Sequence, residues 1–151
     1  MLIYDRITFF KSNIKQVQNL YKKEEITSAA TMLLSVAKAD EVIEQEELNS
    51  IRIILADFFQ LDCKDEIQSI IDTALFNLEN SIDIYEYGKQ LNEYWDYQDK
   101  IDFICCAFEV SCSDGDLHYI EEHVIKKIAT ILNVNHQDLI KSKIEMKKYL
   151  S

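Results

Sequence analysis

The chain has 151 residues, 48% hydrophobic and 28% charged, a length and composition that fit one globular domain and exclude a disordered segment. With no proline and only two glycines, Gly88 and Gly115, it lacks the turn residues that a sandwich or barrel consumes. A net charge of −11 argues against nucleic acid, whose phosphates are gripped by Lys and Arg, and favours cations, basic protein surfaces or plain solubility.

The helical period recurs along nearly the whole chain, so the expected fold is all-α with seven to eight helices in a single domain over 1–151. Residues 1–22 read as an N-terminal helical extension, with Ile3, Ile7, Phe10, Ile14, Val17 and Leu20 at three- and four-residue steps. Thr27 or Ser28 is placed to cap the next helix, which carries Leu33, Leu34 and Ala37. A third helix starts near Glu44 and a fourth near Asp62 or Lys64. Ser81 is the expected N-cap of a fifth, running past Gly88 to about Trp95. Asp96 caps the sixth, the seventh covers about His118 to Leu132, and Asn135 caps the eighth. Tyr85, Tyr87, Tyr94, Trp95 and Tyr97 gather around the fifth helix, as half-buried packing or as a surface for a basic partner.

The four cysteines form no Cys-x-x-Cys pair. Cys105 and Cys112, with Phe108 between them, read as small core residues. No stretch approaches the ~20 apolar residues of a membrane span, so the expected compartment is the cytoplasm, with reduced thiols.

The chain repeats itself at an offset of 74 residues. Thr31–Phe58 aligns without a gap on Cys105–Leu132, placing Val36 on Val110, Asp40 on Asp114, Glu47 on Glu121 and Ile51 on Ile125. One extra residue in the first copy then brings Phe59-Gln60-Leu61 onto Leu132-Asn133-Val134. Each copy, near 31–59 and 105–132, is an apolar helix, a short acidic turn and a second apolar helix. The two hairpins suggest a pseudo-twofold bundle with a helical insert between them.

Two readings of the acidic turns stay open. Acids at a helix start cap free N–H groups and oppose the macrodipole, which accounts for Glu44, Glu46 and Asp116. Alternatively, the recurring Asp and Glu, seven residues apart in both copies, converge as oxygen donors for a hard cation such as calcium, magnesium or manganese. The candidate ligands are then Asp40, Glu47, Asp114 and Glu121, with Glu44, Asp116 and His118 as possible additions. An EF-hand is excluded, because its first and third loop positions would be Val110 and Cys112. The chain lacks the Glu-x-x-His pairs of a di-iron enzyme. It also lacks a His-Glu-x-x-His zinc motif and a phosphate-cradling glycine loop.

Ser113-Asp114-Gly115-Asp116-Leu117-x-x-x-Glu121 resembles the signature of the TerB family, named for tellurite resistance protein B. Asp40-Glu41-Val42-Ile43-x-x-x-Glu47 is similar to its first copy. The resemblance covers about residues 27–140 and extends to the N-terminal region of DjlA-type co-chaperones. It implies an all-α fold, clustered acids that bind divalent metal, no organic cofactor, no catalysis, and roles in stress response or membrane-associated complexes with a protein partner. Alternatives are a plain interaction scaffold without a metal, or a metal-dependent hydrolase. The first copy departs from the pattern by placing Glu41 where the family has glycine, which strains a left-handed turn or adds a ligand.

Overall fold

The computed structural model describes residues 15–113, 115 and 117–150, with side chains from Lys22 onward. Among these residues it is all helix: α1 Lys15–Ala37, α2 Gln45–Phe59, α3 Lys64–Asn80, α4 Tyr85–Tyr94, α5 Tyr97–Ser111, α6 Tyr119–Ile131 and α7 His136–Leu150. The first fourteen residues of the expected N-terminal extension lie outside the described residues.

Several helix ends form for the reasons the sequence gives. Asp96 caps α5 in a reciprocal box with Asp99: the Asp99 N–H donates to Asp96 Oδ1 at 2.9 Å, and the Asp96 N–H donates to Asp99 Oδ2 at 3.0 Å. Asn135 Oδ1 accepts from the Asp138 N–H at the start of α7. At the other end of α2 and α6, Gln60 and Asn133 turn left-handed, with φ of 55° and 60°. Each lets the next N–H reach back into its helix, Leu61 to the Ala56 carbonyl and Val134 to the Ala129 carbonyl.

Three expectations are corrected. No helix starts at Thr27 or Ser28, because α1 runs through them unbroken. The Thr27 carbonyl accepts from Thr31 Oγ1, and Ser28 Oγ donates to Gln90 Oε1 on α4 rather than serving as a cap acceptor. Ser81 does not start α4; it is the C-cap residue of α3, bonded to the Tyr87 hydroxyl, and α4 begins after Ile84. Cys105 and Cys112 are only half-buried. The fully buried side of α5 is held by Phe103, Ile104, Ala107, Phe108 and Val110, one helical face away from Cys105 and Cys106. All four cysteines are free thiols.

The repeat is reproduced bond for bond. At the end of α1 the N–H groups of Lys38, Ala39 and Glu41 donate to Leu34, Val36 and Lys38 at 2.9, 3.2 and 2.8 Å. At the end of α5 those of Cys112, Ser113 and Gly115 donate to Phe108, Val110 and Cys112 at 2.9, 3.2 and 3.0 Å. The matched apolar positions Val36/Val110, Ile51/Ile125 and Ile54/Ile128 are all buried. Packing extends the repeat further than the sequence alignment does. Helix α3 lies on α1 as α7 lies on α5, and α1 meets α6 as α5 meets α2. Each half is therefore a three-helix unit, α1–α3 and α5–α7, exchanged in the way a twofold relation requires. Helix α4 is the insert, packed on α1 and α6.

Candidate metal centre

The two acidic turns lead into α2 and α6, and each delivers one glutamate to the interior. Glu47 and Glu121 sit one turn into their helices, where the side chain points back toward the N-terminal end and down onto the core. They are 1% and 0% exposed, an unusual depth for a carboxyl group. Glu47 Oε1 accepts the backbone N–H of Glu44, the N-cap residue of α2, at 2.9 Å. Glu121 Oε1 accepts Ser111 Oγ, from the end of α5, at 3.1 Å. Half of each carboxyl thus serves to close a helix or turn.

The other half does not. Glu47 Oε2 and Glu121 Oε2 are buried, and no N–H or O–H of the described residues donates to either. The two carboxyls adjoin one another, and neither unpartnered oxygen has a donor. Burial, then the adjoining Glu47 carboxyl, and more weakly the charge of Asp40, push the Glu121 carboxyl up to about 9; the Ser111 hydroxyl opposes the shift. The upward shift favours the protonated Glu121 carboxyl, whose O–H has the adjoining Glu47 carboxyl as an acceptor. Buried polar atoms without partners are costly, so this position calls for a proton or a cation.

Asp40 and Glu121 are closer in space than in sequence, since the Asp40 charge reaches Glu121. Asp40 itself is exposed, and its Oδ1 accepts the Val42 N–H at 3.2 Å in an Asx turn. Glu44 is exposed at the N-cap of α2, and His118 is the N-cap residue of α6. Asp114 and Asp116 lie outside the described residues. Among the described residues no three His, Cys, Asp or Glu side chains converge as a metal-binding group. Of the candidate ligands that are described, the fold brings Glu47 and Glu121 together and leaves Asp40 at longer range. Sequence reasoning did not single out Ser111 as the second donor to the pair, and the repeat gives no signal for it, since the first copy has Ala37 at that position.

The backbone at the two turns is also matched. Glu41 has φ 69° and Gly115 has φ 110°. The first copy thus keeps the left-handed turn that glycine normally supplies and holds it with a glutamate. Glu41 is exposed.

Residues 26–144 match the family model described as Tellurite resistance protein TerB. The chain belongs to the TerB family. The match takes in both acidic turns, the buried glutamate pair and the insert α4, and it begins within α1, eleven residues after that helix starts. No curated protein and no solved structure gives a significant match. Among the described residues no helix is long and apolar enough to cross a membrane. The all-helical expectation for a TerB chain is met.

Proposed function

We propose that this TerB-family chain is a non-catalytic binding module whose two halves are linked by a divalent cation at Glu47 and Glu121. One observation carries the reading: two wholly buried carboxyl groups, one from each half, each present an oxygen without a donor to the other. A hard cation accepts such oxygens directly, and six or more oxygen ligands complete calcium or magnesium coordination. Asp40 adds negative charge nearby. A cation held there would join α2 to α6 and fix the surface that a protein partner meets. The family's description supports a role in stress response of the tellurite-resistance type. No organic cofactor is part of this reading, and the absence of a catalytic role rests on family membership.

The second reading is a scaffold in which the proton on Glu121 alone bridges the pair. It is favoured by the lack of a third converging ligand among the described residues. Calorimetric titration of the chelator-stripped protein with calcium, magnesium and manganese separates the two. Saturable binding lost in Glu47→Gln and in Glu121→Gln supports the metal-linked module. No heat with any of the three ions at millimolar concentration leaves the scaffold.

A further inference from the structure

A second feature of the fold concerns a groove between α2, α5 and α7. Its walls include Ile53 and Asp57 from α2, Asp102, Cys106 and Glu109 from α5, and Met146 from α7, around a volume of about 610 Å³. Ile53 is 59% exposed in this wall.

The repeat shows what such a groove holds. At the 74-residue offset Ile53 corresponds to Lys127, Asp57 to Ile131, Asp102 to Ser28 and Cys106 to Met32. Those four residues, on α1 and α6, form the seat of α4. Lys127 pairs with Asp83 at 3.0 Å, just before α4. Ser28 Oγ donates to Gln90, and Asn92 Nδ2 donates to the Ile131 carbonyl at 3.0 Å. Gly88 fits so closely that a Cβ there would lie 2.1 Å from Ile131 Cγ2 and 3.4 Å from Met32 Cε. The groove is thus the twofold counterpart of the surface that α4 covers.

Its charge differs from that of the α4 seat. Where Lys127 meets the acid Asp83, the groove presents Asp57, Asp102 and Glu109, with no Lys, Arg or His among its lining residues. Burial and the neighbouring Asp57 charge push the Glu109 carboxyl up. Burial, followed by Glu109, Cys105, Asp102 and Asp57, does the same to the Cys106 thiol. Every charged residue of the lining is acidic.

We infer that the groove is a docking site for an amphipathic helix of a partner protein, about the length of α4, with lysine or arginine along its flanks. The helix-in-groove mode supplies affinity through the apolar floor and orientation through the rim charges. None of the lining residues belongs to the carboxylate pair, so the inference stands or falls separately from the metal reading.

The test uses two hydrocarbon-stapled peptides and the full chain. One carries the sequence of residues 83–95 with Asp83→Lys, Glu86→Lys and Glu93→Lys; the other keeps the acids. Methyl-labelled spectra of isoleucine and methionine report where each binds. The basic peptide is expected to shift Ile53, Ile54 and Met146 and to leave Ile82 and Ile120 unmoved. The acidic peptide should bind at least tenfold more weakly. Ile53→Ser and Asp57→Lys, both at exposed positions of α2, should each weaken the basic peptide roughly tenfold, and its affinity should fall with added salt. Shifts at Ile131 and Met32 instead would mean that the peptide displaces α4, and would overturn the inference. So would no shift at millimolar peptide. Contacts from the groove methyls of the free chain to its own residues 1–14, or to a second copy, would overturn it in favour of those occupants.

Discussion

Glu47 and Glu121 are 74 residues apart in sequence and adjacent in the core, and every donor that reaches them leaves the facing oxygen of each unserved. The pair is assembled from both halves of the molecule, so it exists only when α2 and α6 are docked. A ligand for the pair is therefore a ligand for the folded state.

A divalent cation at this position should raise the melting temperature, by mass action, to the extent of about 2.7 kcal/mol at one hundred times its dissociation constant. Because Glu121 carries a proton up to about 9, binding near neutral pH must release it. Calorimetry in buffers of different ionisation enthalpy should detect that proton, and affinity should be weaker at pH 6.5 than at pH 8.5. Melting that is insensitive to calcium, magnesium and manganese, with no proton released, would leave the bridging proton as the only occupant.

Without metal, the same group sets a pH dependence of the opposite sense to ordinary surface acids. In the unfolded chain a glutamate loses its proton near pH ~4.3, whereas folded Glu121 keeps its own to about 9. Between those values the folded state binds the extra proton. The associated stability is fully present at the acid end and is lost as pH climbs toward about 9. Denaturant midpoints measured in chelator should fall across this window. Glu121→Gln keeps a donor for Glu47 without titrating, and should flatten the slope.

The left-handed turns give a pair of opposite substitutions. Glu41→Gly removes a side chain from φ 69° and should stabilise the protein by about 0.5–1 kcal/mol, the steric relief exceeding the added freedom of the unfolded chain. Gly115→Ala places a Cβ at φ 110°, strained although no atom lies within 4 Å of it, and should cost about 1–3 kcal/mol. Equal effects of the same sign at both positions would contradict the matched geometry.

Gly88→Ala tests the close approach of α4. Alanine favours the helix by about 1 kcal/mol, but its Cβ collides with Ile131 Cγ2 and crowds Ile131 Cβ, on a β-branched side chain that cannot swing away. A net loss of about 1–3 kcal/mol is expected. Ile131→Ala should partly rescue it in the double mutant, read as a positive coupling by chemical denaturation.

Much of this was legible in the residues. The period of 3.6 and the scarcity of turn residues give the fold class, and the repeat at 74 gives Glu47 and Glu121 as equivalents. Asp96 and Asn135 cap as their types suggest. What escaped reading depends on partners distant in the chain. Thr27 and Ser28 look like cap residues, but nothing local stops α1, and Ser28 finds Gln90 sixty-two residues away. Cys105 looks like core until one sees that Ile104 and Phe108 take the buried face. The third helix of each repeat is hidden because its buried positions diverge: Ile67 and Ile70 in α3 stand against Leu139 and Ser142 in α7. Only packing reveals that they are counterparts.

The unbroken course of α1 has a mechanical consequence. The helix runs from Lys15 to Ala37 and contains neither proline nor glycine to act as a hinge. Its far end, Ala37, runs directly into the turn that carries Asp40 and Glu41 and leads to Glu47. The helix is thus a stiff shaft with the acidic turn fixed to one end. Its packing against α3, α4, α5 and α6 anchors the shaft, so the acidic turn is held by the core as well as by the helix that leads into it.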